Sequence, residues 1–292
     1  MAMEENGPTA LGPALLTSIG IASVGAPGSQ VVLCTDGLAN VGLGAFDEIW
    51  TEDQRNQVDS FYNQLGDLAK DKGVMVNIIS IEGEECNIDT LNKISDVTGG
   101  QVDRVNPLEL TQNFANILSL PVIATKVVLK VKLHKGLEFR KEDPLSLSED
   151  KTILVKELGN VTDETEITFE YRLKPMKELL EMEDLDLEKL KSFPFQAQIT
   201  YNSLEGNKCV RVITKETAIS QDREELEKKA NFRILTTNAV QQSSKMVKEG
   251  QLRGAQSYAK VWNRKMKNQM QDEAQVNQYM KFNAHFGGMY NQ

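Results

Sequence analysis

Apolar positions along the chain change their period twice. Leu15, Ile19 and Ala22 share one face of a helix over 11–23, which Gly25-Ala26-Pro27-Gly28 ends. Val31-Val32-Leu33-Cys34 is a continuous apolar run, the pattern of a strand buried on both faces. Val58, Phe61, Tyr62, Leu65, Leu68 and Ala69 then recur at helical spacing over 53–72, closed by Gly73, and 74–81 reads as a second buried strand. A short helix around Leu91, Ile94 and Val97 leads through Gly99-Gly100 to a short strand over 101–105 and a helix over 107–118. Strand alternating with helix predicts a parallel sheet covered by helices.

From residue 126 to 219 the period becomes two. Strands are expected over 127–133, 152–155, 166–173, 196–201 and 209–213, with turns at Gly159-Asn160 and Glu205-Gly206-Asn207, which predicts an antiparallel β-sandwich. The acidic, Leu-rich stretch 176–191 reads as a short helix or excursion between strands. From 220 to 282 the pattern is helical. Asp222 with Glu225 resembles a capping box, and Gly250 divides two helices. The second carries Leu252, Ala255, Ala259, Trp262, Met266 and Met270, giving a helical hairpin before a loose tail over 286–290. The expected class is therefore multidomain, α/β plus β plus α, with modules over 1–125, 126–219 and 220–292.

Composition removes several functional classes. No apolar run approaches the roughly 20 residues that span a bilayer. Residues 11–24 loosely imitate a signal-peptide core, but Glu4 and Glu5 stand where a basic region belongs, which argues against secretion. Cys34, Cys86 and Cys209 are too scattered for a disulfide framework, and a reducing, cytoplasmic setting fits. His134 and His285 are too few for a His-rich zinc site or a His-based acid–base centre. The net charge of −9 is uneven, because residues 221–292 hold 12 Lys/Arg and 7 Asp/Glu. That basic tail is either a solvated helical face or a surface for the acidic body, a protein partner or an anionic surface. Its dispersed basic residues, without an aromatic platform, argue against nucleic acid.

The stretch with chemical content lies near the start. Gly7-Pro8-Thr9-Ala10-Leu11-Gly12 opens a helix, and the following strand ends in Thr35-Asp36-Gly37. Ligands of open parallel sheets gather at the carboxyl ends of the strands. A Thr9 hydroxyl and an Asp36 carboxylate would be hard oxygen ligands there for a Mg²⁺-type cation. Spacing alone leaves open a purely structural reading, with Thr9 starting a helix and Asp36 making a turn. Glu82, Glu84 and Glu85 beside Cys86 read as an exposed acidic loop, and Cys34 as an inert core thiol. No phosphate loop of the form G-x-x-x-x-G-K-[ST] occurs. Asn92-Lys93-Ile94-Ser95 imitates a guanine-reading motif, but Asp96 comes one residue late within a helical pattern. No catalytic residue is assigned, and the chain is expected not to be an enzyme.

The pattern G-x-T-x-L-G-x-A-L, then a buried strand ending in T-D-G, then I-S-D-V-T-G-G, resembles the second half of a von Willebrand factor A domain across 7–124. The resemblance implies a partial doubly wound sheet and a partial metal-ion-dependent adhesion site, with Thr9 and Asp36 matching the family's Thr and Asp. The family's D-x-S-x-S loop is absent, so a Mg²⁺ ion would be held weakly. The first half of such a domain would precede Gly7. Residues 31–35 would then form an open sheet edge, available for strand addition by a protein partner or for self-association. The order of the three modules is similar to that of Sec23/Sec24 coat proteins and of the C-terminal region of circularly permuted Ras-like proteins. These resemblances imply a protein-interaction or scaffold module. The alternatives are the accessory region of a Ras-like GTPase signalling protein and a vesicle-coat component.

Overall fold

A computed structural model describes residues 7–35, 38–46, 51–81, 88–182, 185, 190–220, 222–270 and 272–290, the last six by backbone alone. The chain divides into two compact units. One takes residues 1–132, 154–165 and 196–214, and the other 133–153, 166–195 and 215–292.

In the first unit, α1 (Leu11–Ser23), β1 (Gln30–Thr35), α2 (Glu52–Lys72), β2 (Met75–Ile81), α3 (Ile88–Thr98), β3 (Val102–Val105) and α4 (Leu110–Leu118) alternate as their periods predict. Three strands form a parallel sheet in the order β1-β2-β3, with Val31 opposite Val76 and Ile78 opposite Val102. Alternation of side chains along the strands divides the core in two. Val31, Val76 and Ile78 pack with Leu15, Ile19, Tyr62, Leu65 and Ile94 from α1, α2 and α3, while Ile79 and Val105 pack with Ile117 of α4. Helices therefore cover both faces of the sheet. Thr51 and Gln54 satisfy each other's backbone N–H groups at the start of α2. Gly73, at φ +68°, ends the helix in the left-handed conformation that a side chain would resist.

The β1 edge differs from the sequence expectation. β2 is buried along nearly its whole length, whereas in β1 Val32 and Leu33 are half-buried and Cys34 is exposed. Cys34 is thus not a core thiol. Among the described residues β2 has a strand on each side, whereas β1 ends the sheet order.

Ten residues of strand, β4 (Ala124–Leu133), pair with β6 (Ile153–Val161), and the full four-stranded order is β6-β4-β8-β9, with β8 at Ser192–Asn202 and β9 at Lys208–Ala218. Bonds from Ile123 N–H to Val161 and from Leu133 N–H to Thr152 make β4 and β6 antiparallel. Gly159-Asn160, expected as a turn, lies inside β6. Gly159 sits at φ +70°, where an added Cβ would lie 2.4 Å from the Val97 carbonyl oxygen. Asn160 reaches back to donate to the Thr98 carbonyl at 2.8 Å. The dipeptide serves close backbone approach rather than chain reversal, two uses of the same residue chemistry.

The second unit holds a two-stranded antiparallel sheet of β5 (Leu137–Arg140) and β7 (Glu170–Leu173), with Phe139 opposite Tyr171. The strand expected over 166–173 begins only at Glu170. Upstream, Thr168 donates its backbone N–H to Gln241 Oε1 at 3.1 Å, and Gln241 Nε2 donates to the Glu166 carbonyl at 2.7 Å. A glutamine side chain thus takes the place of a neighbouring strand. Of the acidic stretch, α5 (Met176–Leu180) is helical. Then come α6 (Arg223–Lys228), α7 (Phe232–Lys248), α8 (Leu252–Gln269) and α9 (Glu273–Tyr290). Asp222 caps α6 by accepting from Glu225 N–H at 3.0 Å. α7 and α8, split at Gly250, are the expected hairpin, and α9 adds a third helix that continues through 286–290, where a loose tail was expected. Ala259, Met266, Phe232, Ala239 and Phe282 form the core of this bundle, but Leu252 is exposed.

Candidate interaction site at the carboxyl edge of the parallel sheet

Thr9 stands just ahead of α1 and is exposed. It is not the helix cap, since Ala10 holds that position without a side-chain capping bond. The Thr9 backbone is pinned instead to the segment following β1. Its N–H donates to Asn40 Oδ1, and its carbonyl accepts from Asn40 N–H at 3.0 Å and Val41 N–H at 3.3 Å. Segment 38–46 therefore lies against the start of α1. Asp36 itself lies outside the described residues, as do Glu82, Glu84, Glu85 and Cys86. What the structure brings together is Thr9 with a segment that begins two residues beyond Asp36.

That segment is held from beneath. Tyr62 on α2 is fully buried, stacks on Phe46 at 5.5 Å and donates its hydroxyl to the Gly44 carbonyl at 3.0 Å. Burial pushes the Tyr62 phenol up to about 12. Phe46 N–H bonds the carbonyl of buried Ala39 at 2.7 Å. Gly12 in the first turn of α1 admits no side chain, because a Cβ there would meet the Leu43 carbonyl oxygen at 2.0 Å. Sequence reasoning missed Asn40 and Tyr62 as parts of this rim. The G-x-T-x-L-G spacing carried a signal for Gly12, and nothing in the spacing marked Asn40.

On the neighbouring helices, Asp59 accepts from Thr90 at 2.9 Å and pairs with Lys93 at 3.1 Å. Partial burial alone would raise the Asp59 pKa, but the Lys93 and Thr90 hydrogen bonds outweigh it and hold the carboxyl below its ordinary value. Lys93, within α3, is thereby committed to the Asp59 carboxylate of α2, so the guanine-motif lookalike has the helical setting expected of it.

One Thr hydroxyl and one carboxylate leave most of an octahedral shell to water, and among the described residues no group of three His, Cys, Asp or Glu side chains is placed to hold a metal ion. Magnesium at about 5 mM should therefore raise the melting temperature by less than about 1 °C, the shift given by a Kd no tighter than that concentration. Differential scanning fluorimetry of the wild type and Asp36→Ala checks this. A rise above about 3 °C that the substitution removes would instead demonstrate a working site.

Likeness to solved structures shows the fold. The human COPII-coat protein Sec24c superimposes with TM-score 0.60 over 96% of this chain and 37% of that one, at 13% identity. A von Willebrand factor type A protein from Catenulispora acidiphila does so with TM-score 0.50 over 98% of this chain and 62% of that one, at 17% identity. The chain is thus a von Willebrand factor A-like α/β fold with additional antiparallel sheets and helices. In sequence it is 33% identical over 241 residues to circularly permutated Ras protein 1 of Dictyostelium discoideum, which covers 82% of this chain. It spans only 27% of that protein's length. No family model matches the chain. Among the described residues no helix is long and apolar enough to cross a membrane.

Proposed function

We propose that this chain is a non-enzymatic, cytoplasmic protein-interaction module of a longer GTPase-linked signalling polypeptide. The observation that carries this reading is the 33% identity, across 82% of the chain, to part of a protein named as a circularly permutated Ras protein. A Ras-like GTPase requires a phosphate loop, and these 292 residues contain none, so nucleotide chemistry belongs to the remainder of such a polypeptide. In this reading the rim of Thr9 and segment 38–46, Asn40 included, presents the contact surface. A cation at Thr9 and Asp36 is at most an accessory to that contact. The likeness to the coat protein Sec24c supports a second reading, a coat-type scaffold, on fold alone.

The test is titration calorimetry of this chain against the remaining portion of the Dictyostelium relative, loaded with GDP or a non-hydrolysable GTP analogue. Binding at micromolar Kd is expected, tighter for one nucleotide state by about fivefold or more, with no GTP hydrolysis by the chain itself. Absence of binding to both states at about 100 μM would rule the reading out.

A further inference from the structure

The far edge of the four-stranded sheet carries a second opportunity. β9 ends the sheet order, and none of its 11 residues is buried, with Val210 at 64% and Val212 at 51% exposure. Its register on β8 follows from two bonds, Ser203 N–H to the Asn207 carbonyl at 2.9 Å and Ile219 N–H to the Lys191 carbonyl at 3.0 Å. The Gln196 to Thr214 side-chain bond at 3.2 Å fits the same register. Odd-numbered residues of β9 therefore bond inward to β8. By alternation, Lys208, Val210, Val212, Thr214 and Glu216 turn their N–H and C=O groups to the open edge and share one face of the sheet.

Long, exposed, β-branched edges pair with other strands unless a charge, a proline or a bulge intervenes. Here the charges favour one partner. If a second β9 pairs antiparallel about a two-fold axis at Val212, Val212 meets its own copy, Val210 meets Thr214 and Lys208 meets Glu216. By symmetry each of the last two contacts occurs twice. Every outward backbone group from Lys208 to Glu216 is then bonded. On the opposite face Arg211 meets Ile213 and Cys209 meets Lys215, so no like charges lie opposite each other. Glu216 is already oriented on this edge by a bond from Ser192 Oγ to its Oε2 at 3.1 Å.

We propose that β9 is the homodimer edge of this chain, in an antiparallel two-fold pairing centred on Val212. A C₂ contact must be self-complementary, and the Lys208-to-Glu216 spacing about Val212 meets that requirement. The inference does not depend on the function proposed for the Thr9 rim.

Sedimentation velocity on the full chain, over about 1–200 μM, tests it. A concentration-dependent dimer is expected. Lys208→Glu and Glu216→Lys each place like charges in both symmetric contacts, and each should weaken the dimer about tenfold or more. Mixing the two variants should restore it as a heterodimer, as should combining both changes in one chain. Val212→Pro removes an N–H that faces outward and should abolish dimerisation while leaving the circular dichroism spectrum intact. A monomer throughout the range overturns the proposal. So does a dimer indifferent to these variants but lost in Cys34→Lys, which would place the contact on β1.

Discussion

Gly99→Ala should lower stability by about 3 kcal/mol or more, equivalent to roughly 6–12 °C in melting temperature. Gly99 sits at φ +77°, and an added Cβ would fall 1.9 Å from the Asn160 carbonyl oxygen and 3.1 Å from that of Leu158. The left-handed backbone accounts for about 1–2 kcal/mol, and forcing two backbones apart adds a comparable amount. Neither obstacle is a flexible side-chain tip that could swing aside. Gly20→Ala is the matched control. Its Cβ meets nothing within 4 Å in the middle of α1, so it should stabilise by up to about 1 kcal/mol. Urea unfolding of both variants with an unchanged m-value checks the pair. A loss below about 1 kcal/mol at Gly99 would mean that β6 and the end of α3 are not as closely joined as described.

Tyr62→Ala should cost about 3–5 kcal/mol, because the ring is fully buried, stacks on Phe46 and meets Phe61 edge to face. Tyr62→Phe, which keeps the ring and leaves the Gly44 carbonyl without its donor, should cost about 1 kcal/mol. The hydroxyl also has a pH signature. The folded pKa near 12 exceeds the ordinary value of 10, so the folded state favours the neutral phenol. Its contribution is complete below pH 10 and is lost as the pH rises towards 12, a decline of order 2–3 kcal/mol. Lysines also titrate in this range, so the informative quantity is the difference between wild type and Tyr62→Phe in denaturation at about pH 9 and pH 11.5. An equal alkaline decline in both proteins would exclude Tyr62 as the cause.

Local pattern made the alternating half of the fold legible, and it failed where a neighbour decides. Two apolar runs read alike as strands buried on both faces, but among the described residues β2 lies between two partners, whereas β1 ends the sheet order and its Cys34 is exposed. Period-two alternation over 166–169 reads as strand, yet pairing needs a second strand, and Gln241 lies 72 or more residues away in sequence. Glycines at 287 and 288 argued for a tail, while the backbone remains helical to Tyr290. At the candidate site, helix-start chemistry marked Thr9, and Gly12 stood only within the G-x-T-x-L-G spacing. Asn40 escaped notice because an Asn beyond an Asp-Gly turn has the same composition whether it faces water or another loop.

The Gln241 amide gives a local reporter on the second unit. Because the Thr168 N–H is held by a side chain of α7, its hydrogen exchange should be slow only while α7 is seated, although no strand protects it. Partial opening of the bundle would thus appear first as deuterium uptake at Thr168, well before the β5–β7 ladder exchanges. A single resolved amide would then separate undocking of a helix from loss of the sheet beside it.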